Sequence, residues 1–385
     1  MRRKITIFGF FSEDSGLTCF IKTNYHALVA EGYDFNIINT ANYRPARELK
    51  RLGTYYEVPF YFSDINGRNF FQKRKNFIRE LKDILEECRN TSQTIHLYLN
   101  TLCDPISIIL AHKANFNRII THAYADYTNI FNIAEKQLQY VGRKMVEKYA
   151  TDYIAVTPEA ANFFYSKKLQ RSPKFSIIQN GIAVKKQRYH EEQNLYYRKR
   201  YGIDSKTFVI GNVGRFINSK NQVFLVECFD LFQKIYPNAK LVFIGDGPMI
   251  EDVRQRVYQL NLESKVIFTG YLENTEEVQN IFNVFAYPAI SDGLSLSLLH
   301  SIANGAMAVV SNTQSQQLKE LDGIVSLPID NAQLWADEFY RLNQRRYNRS
   351  IQSEKIMSEL IQHGFTISTV SRQLKKLYGR PQWED

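Results

Sequence analysis

Arg215 and Lys220 lie five positions apart in Gly214-Arg215-Phe216-Ile217-Asn218-Ser219-Lys220-Asn221, directly after an apolar run. A guanidinium can grip a phosphate with two parallel N–H groups and an ammonium adds a point charge, so the pair suits a diphosphate. A second stretch, Tyr287 to Gly305 (YPAISDGLSLSLLHSIANG), ends a short apolar run near Pro288, turns at Asp292 and Gly293, and starts a helix at Ser295. A serine N-cap leaves unpaired backbone N–H groups and a partial positive charge at the helix start, which again favours an anion. Asp292 stands just before that start, and His300 falls inside the helix. A plain buried strand-turn-helix connection would show the same pattern, so chemistry is read from the combination. A third candidate is His122, at the carboxyl end of a strand-like run, where an imidazole can reach a sugar hydroxyl.

Two alternations of strand and helix must carry these groups. The first opens with a strand at Lys4 to Phe10, a loop to Gly16 and an amphipathic helix from Leu17 to Glu31. That order begins a doubly wound parallel sheet, which binds ligands at the carboxyl ends of its strands. Gly16 alone stands at the turn into the helix, so the three-glycine dinucleotide fingerprint is missing and a nicotinamide cofactor is disfavoured. Strands follow at Asp34 to Asn39, Thr94 to Asn100, Arg118 to Thr121, Asp152 to Val156 and Phe175 to Ile178, with Arg44 to Arg51 read as irregular. Lys185 to Gly202, charged and tyrosine-rich, reads as a connector. The second alternation places strands at Thr207 to Val213, Lys240 to Ile244, Lys265 to Thr269, Val284 to Tyr287 and Ala308 to Ser311. The chain is thus an α/β protein of two doubly wound Rossmann-like domains.

Composition narrows the partners. The 385 residues are 44% hydrophobic and 23% charged, with no apolar run long enough to cross a bilayer and no visible leader, so a cytoplasmic protein is expected. Four cysteines show no metal-like or redox-like spacing. Net charge is +10, and residues 1–180 hold 25 Lys and Arg against 17 Asp and Glu. Such a surface attracts nucleic acid, anionic membrane or phosphorylated substrate. The basic and aromatic residues of Lys185 to Gly202 are interrupted by Glu191 and Glu192, and no nucleic-acid partner is expected. Arg68 to Glu87 is a long amphipathic helix with Phe70, Phe71, Phe77, Ile78, Leu81, Ile84 and Leu85 on its apolar side. It either packs on the sheet or touches an anionic membrane face.

In order along the chain, Asn180-Gly181-Ile182, the Gly214, Arg215, Lys220 and Asn221 loop, the Gly245 to Pro248 turn, Phe268 to Leu272, and Pro288 to Gly305 resemble the motifs of the family 4 retaining glycosyltransferases. The resemblance implies GT-B architecture, with two Rossmann-like domains facing across a cleft. Residues 1–183 with about 366–385 would form the acceptor side, and 184–365 the nucleotide-sugar side. It implies that Arg215 and Lys220 hold the donor diphosphate, that Gly16 approaches it through its backbone N–H, and that Gly270, Tyr271 and Leu272 line the base. Asp292, Gly293, Leu294, Ser295 and Leu296 would surround the donor. The family's two glutamates, eight positions apart, fall on Asp292 and His300. The first keeps its carboxylate one methylene shorter, and a neutral imidazole at the second offers a single acceptor. No Asp-x-Asp motif occurs, so the expectation is metal-independent sugar transfer from a nucleotide-sugar, most simply a UDP-sugar, to a glycan or lipid-linked glycan acceptor. The competing expectation, prompted by His300, is a non-catalytic subunit that positions a partner, and either form can be oligomeric.

Overall fold

The structure is a computed structural model that describes residues 3–13, 15–59, 69–125, 131–292, 294–345 and 347–379. Among the described residues its apolar runs form thirteen strands, and every pairing between these strands is parallel. Parallel strands need long crossovers, which is why amphipathic helices separate nearly all of them. The chain divides into two units, Met1–Gly181 with Ile367–Asp385, and Ile182–Thr366.

The first unit holds β1 (Arg3–Gly9), β2 (Tyr33–Asn39), β3 (Gly53–Glu57), β4 (Thr94–Leu99), β5 (Arg118–Ala123), β6 (Asp152–Ala155) and β7 (Phe175–Ile177), in the order β3-β2-β1-β4-β5-β6-β7. The second holds β8 (Phe208–Val213), β9 (Ala239–Ile244), β10 (Val266–Phe268), β11 (Val284–Tyr287), β12 (Met307–Ser311) and β13 (Ile324–Leu327), in the order β10-β9-β8-β11-β12-β13. Each order reverses beside the unit's first strand, between β1 and β4 and between β8 and β11. Loops leave such a switch point in opposite directions and open a crevice at the carboxyl edge.

Central strands are buried along their whole length, as in β5, β8 and β12. Parallel strands covered on both faces read as continuous apolar runs, which is why they show in the sequence. Two edge strands, β3 and β13, are half-buried throughout or more exposed and were not anticipated, whereas the edge strands β7 and β10 lie within expected runs. The stretch read as irregular ends in a 3-10 helix, Arg47–Leu52, that feeds directly into β3.

Lys185 to Gly202 is more than a connector. It forms a 3-10 turn, Val184–Gln187, and a helix, Glu191–Arg200. The guanidinium of Arg198, buried in the second unit, donates to Asn194 Oδ1 and to the carbonyls of Asp204, Thr207 and Ile281.

The last helix, Ile367–Tyr378, packs in the first unit. Tyr378 shares its hydroxyl with Tyr25 at 2.6 Å, and Tyr25 bonds Tyr98 at 2.6 Å. Arg118 ties the same helix to the sheet, donating to the Leu377 carbonyl at 2.6 Å and to both oxygens of Asp152 at 2.8 and 2.6 Å. Asp152 is fully buried and Arg118 is 5% exposed.

The helix read from Arg68 runs over Phe70–Thr91, with Arg68 itself outside the described residues. Phe77, Leu81, Leu85 and Cys88 are buried, while Phe71 is 86% exposed. Packing therefore uses most of the apolar side. Among the described residues no helix is long and apolar enough to cross a membrane.

Removing one partner of a buried ion pair leaves the other charge uncompensated. Asp152→Ala is expected to cost about 3 to 5 kcal/mol in urea unfolding. A loss below about 1 kcal/mol would show that the pair does not hold the final helix to the sheet.

Candidate donor site at the carboxyl edge of the second unit

The loop after β8 is shaped by glycine. Gly245 has φ of +138°, and a Cβ there would lie 2.1 Å from the Gly214 carbonyl oxygen. Only glycine lets the loops after β8 and β9 approach this closely. Backbone bonds then join the edge: Phe216 N to Asp246 O at 2.9 Å, Gly245 N to Gly270 O at 3.0 Å, and Ile290 N to Ser219 O at 2.8 Å. The last bond brings the Lys220 loop onto the segment that carries Asp292.

Lys220 Nζ lies 2.7 Å from Asp292 Oδ2 and also donates to the Tyr287 hydroxyl, which in turn donates to Asp292 Oδ2. The Lys220 side chain is 16% exposed and that of Asp292 25% exposed. Burial alone would lower the Lys220 pKa, but the Asp292 carboxylate and Tyr287 outweigh it and the net shift is upward. Burial, reinforced by Asp292, pushes the Tyr287 phenol up. The result is an ammonium, a carboxylate and a neutral phenol at the β8–β11 switch point. Tyr287 was not anticipated, although its place as the last residue of β11, five before Asp292, puts it at this edge.

The helix Leu296–Ala303 starts beside them. Ser295 caps it, accepting from Leu298 N at 3.3 Å, and Ser297 Oγ donates to the Val213 carbonyl at the end of β8 at 3.1 Å. Ser295, Leu294 and Leu296 are buried, and Gly293 lies outside the described residues. Arg215 stands on the same loop as Lys220, and its carbonyl accepts from Gln222 Nε2 at 3.1 Å. Gly270 takes a left-handed conformation with φ of +73°, while Tyr271 is 41% exposed and Leu272 half-buried. The second unit thus groups Arg215, Lys220, Asp292 and the helix start around one switch point. The loop Gly270 to Leu272 borders it.

His300 is 8% exposed, and its Nδ1 is 3.7 Å from Glu276 Oε1. Burial lowers its pKa and Glu276 opposes that, with the net shift downward. A neutral imidazole beside a carboxylate stands where one glutamate was expected.

Gly16 and His122 belong to the first unit. Gly16 is the first residue of the helix Gly16–Ala30, capped by Ser15, and a Cβ there would meet nothing within 4 Å. His122 was expected to present its ring to a ligand at the strand end. It is instead fully buried, stacked on His96 with centroids 5.3 Å apart, with Nδ1 3.2 Å from His96 Nε2. Its Nε2 makes no well-formed hydrogen bond among the described residues, though the Ile178 carbonyl favours its protonation slightly. Burial pulls the His122 pKa down to about 3, so the ring is neutral. Both faces of β5 are covered, and that is what removes His122 from the surface.

Over 97% of this chain and 98% of the other, the fold matches the solved structure of Anabaena Alr3699/HepE in complex with UDP-glucose, with a TM-score of 0.79 at 13% identity. The fold is GT-B, two parallel-sheet Rossmann-like domains. Residues 195–325 match the family model described as glycosyl transferases group 1. The chain is 24% identical over 271 residues to the putative glycosyltransferase EpsF of Bacillus subtilis, covering 69% of each. It is 22% identical over 364 residues to the capsular polysaccharide biosynthesis glycosyltransferase CapH of Staphylococcus aureus, covering 91% of this chain and 92% of that one.

The buried histidines make stability depend on pH. His122 binds a proton near pH 6.5 when unfolded and near pH 3 when folded, so the unfolded state takes up more protons between them. Stability should fall as pH drops through that window. His96, whose pKa burial also lowers, adds to the fall. Melting temperatures from pH 7 to 4 are expected to decline, and His122→Gln to flatten part of the decline. An identical pH dependence in the variant would contradict the burial of a neutral ring.

Proposed function

We propose that the protein is a retaining, family 4 glycosyltransferase that moves a hexosyl or N-acetylhexosaminyl group from a nucleotide-sugar, a UDP-sugar in the simplest case, to a cell-surface glycan or lipid-linked precursor. The observation that carries this reading is the Lys220–Asp292 pair at the β8–β11 switch point, beside a capped helix start and Arg215. HepE, whose structure holds UDP-glucose, supports the donor class, and CapH, a polysaccharide biosynthesis enzyme, supports the acceptor class.

In this reading Arg215, Lys220 and the helix start neutralise the diphosphate, and Asp292 accepts hydrogen bonds from the sugar hydroxyls. Leu294 and Leu296 wall the pocket, and Gly270, Tyr271 and Leu272 border the base. His122, buried and neutral, orders the end of β5 and is not assigned proton transfer. The bond from the anomeric carbon to the phosphate oxygen breaks as the bond to the acceptor oxygen forms on the same face. The acceptor proton passes to the departing diphosphate oxygen. The side chains supply charge and position, which dominate catalysis where no protein nucleophile acts. Two cations and a helix start do this without a metal.

Purified protein given UDP-sugars and an acceptor extract should release UDP, and Arg215→Ala with Lys220→Ala should reduce that release by at least 100-fold, the scale seen when charge-stabilising groups are removed. Normal turnover in the double variant would overturn the diphosphate assignment. His300 favours one other reading, a non-catalytic subunit that stabilises an active partner. Calorimetry at millimolar UDP separates them, because no heat of binding would favour the scaffold.

A cytoplasmic protein working on the inner face of the plasma membrane fits a lipid-linked acceptor. On the helix Phe70–Thr91 the exposed Phe71, Lys75, Arg79 and Lys82 share one face by helical spacing. We expect flotation with anionic liposomes at low salt and release as salt rises, since surface charge is screened within about 10 Å at 0.1 M. Absence from the lipid fraction at both salts would remove the membrane reading.

A further inference from the structure

We infer that Tyr287 is the positioning residue of this site: its hydroxyl accepts from Lys220 Nζ, donates to Asp292 Oδ2, and so fixes the ammonium and the carboxylate relative to each other before a ligand arrives. The inference rests on the donor-site reading above.

Lysine reaches its target on a flexible four-carbon stem, and an Asp–Lys pair joined by one contact can adopt many geometries. Tyr287 removes that freedom. It has only two side-chain rotors, is 2% exposed, and pairs through its backbone with Val310 at the end of β11. Its ring stacks on Phe285, with centroids 5.7 Å apart and planes at 21°, and the Lys220 ammonium lies 5.0 Å from the ring centroid. The phenol is therefore a rigid post standing on the sheet. Its single proton goes to Asp292 and its lone pair takes a proton of Lys220, so each bond directs the other.

This geometry has a consequence for the ligand. An ammonium carries three N–H groups, and two are committed to Asp292 and Tyr287. The direction of the third is then fixed by tetrahedral geometry. A phosphate oxygen arriving there adds to the cluster without displacing either partner. The ion pair is neutral as a unit, which lets it sit largely buried; a diphosphate adds charge that Arg215 and the helix start must balance.

Tyr287→Phe deletes the hydroxyl and keeps the ring, so its effect reports positioning rather than packing. The variant should melt near the parent, and UDP affinity by calorimetry should fall about threefold to tenfold, the range of one ordinary net hydrogen bond. In a Lys220→Met background the same change should cost less than about twofold, because a residue acting through Lys220 has nothing left to position. Equal losses in both backgrounds would make Tyr287 a structural residue and overturn the inference, as would an unchanged affinity in Tyr287→Phe alone. If the phenylalanine variant does not fold, Tyr287→Met serves the same cycle, since a flexible thioether fills gaps of this size. Lys220→Met that binds UDP like the parent would instead sink the donor-site reading, and this inference with it.

Discussion

The constraint on which the second unit depends is the contact between Lys220 and Asp292 across the β8–β11 switch point. The two residues are 72 positions apart, on loops that leave neighbouring strands in opposite directions. They meet because parallel pairing puts the carboxyl ends of β8 and β11 side by side. The bond from Ile290 N to Ser219 O then draws the two loops together. Burial would drive a lone ammonium toward its neutral form, and Asp292 keeps it charged. A charged, partly covered cation at the one edge where a parallel sheet opens is what makes this a site rather than a turn.

The first unit is built around polar groups that cannot face water. Arg118 and Asp152 form a bidentate pair in the core, and Arg118 also takes the carbonyl of Leu377, so the chain's last helix is fastened by charge as well as by apolar contact. Beside it Tyr98, Tyr25, Tyr378, His96 and His122 form a continuous row of hydrogen bonds. Buried polar groups cost little when each finds a partner and much when one is left over. The row therefore requires Tyr378, and with it the return of the last helix to the first unit.

Much of this was legible in the chain itself. Central strands such as β5, β8 and β12 are continuous apolar runs because both faces are covered, and the Ser295 cap and the glycines at 245 and 270 carry local backbone demands that a sequence displays. Edge strands β3 and β13 escaped because Gly-Thr-Tyr-Tyr-Glu carries almost no aliphatic residue and Ile-Val-Ser-Leu is only four residues long, too short to stand out between its loops. Lys220 and Asp292 were visible as separate candidates, but not as partners, since their meeting is a product of strand order. Tyr287 was hidden for a related reason: as a strand-terminal aromatic it reads as core until its hydroxyl is placed between two charges. His122 misled in the opposite direction, because a polar residue at a strand end suggests exposure, whereas the covering of both faces of β5 and the stack on His96 bury it. His300 kept its predicted place in the helix, but the carboxylate of Glu276 beside it comes from a segment 24 positions earlier and could not be foreseen.

The most direct measurement is an experimental structure with UDP bound. The expected result is a phosphate oxygen within about 3 Å of Lys220 Nζ, hydrogen-bond distance for a charged donor, with the diphosphate at the start of the helix Leu296–Ala303. UDP seated elsewhere, with Lys220 still closed on Asp292 and Tyr287 and no phosphate beside it, would contradict the central claim.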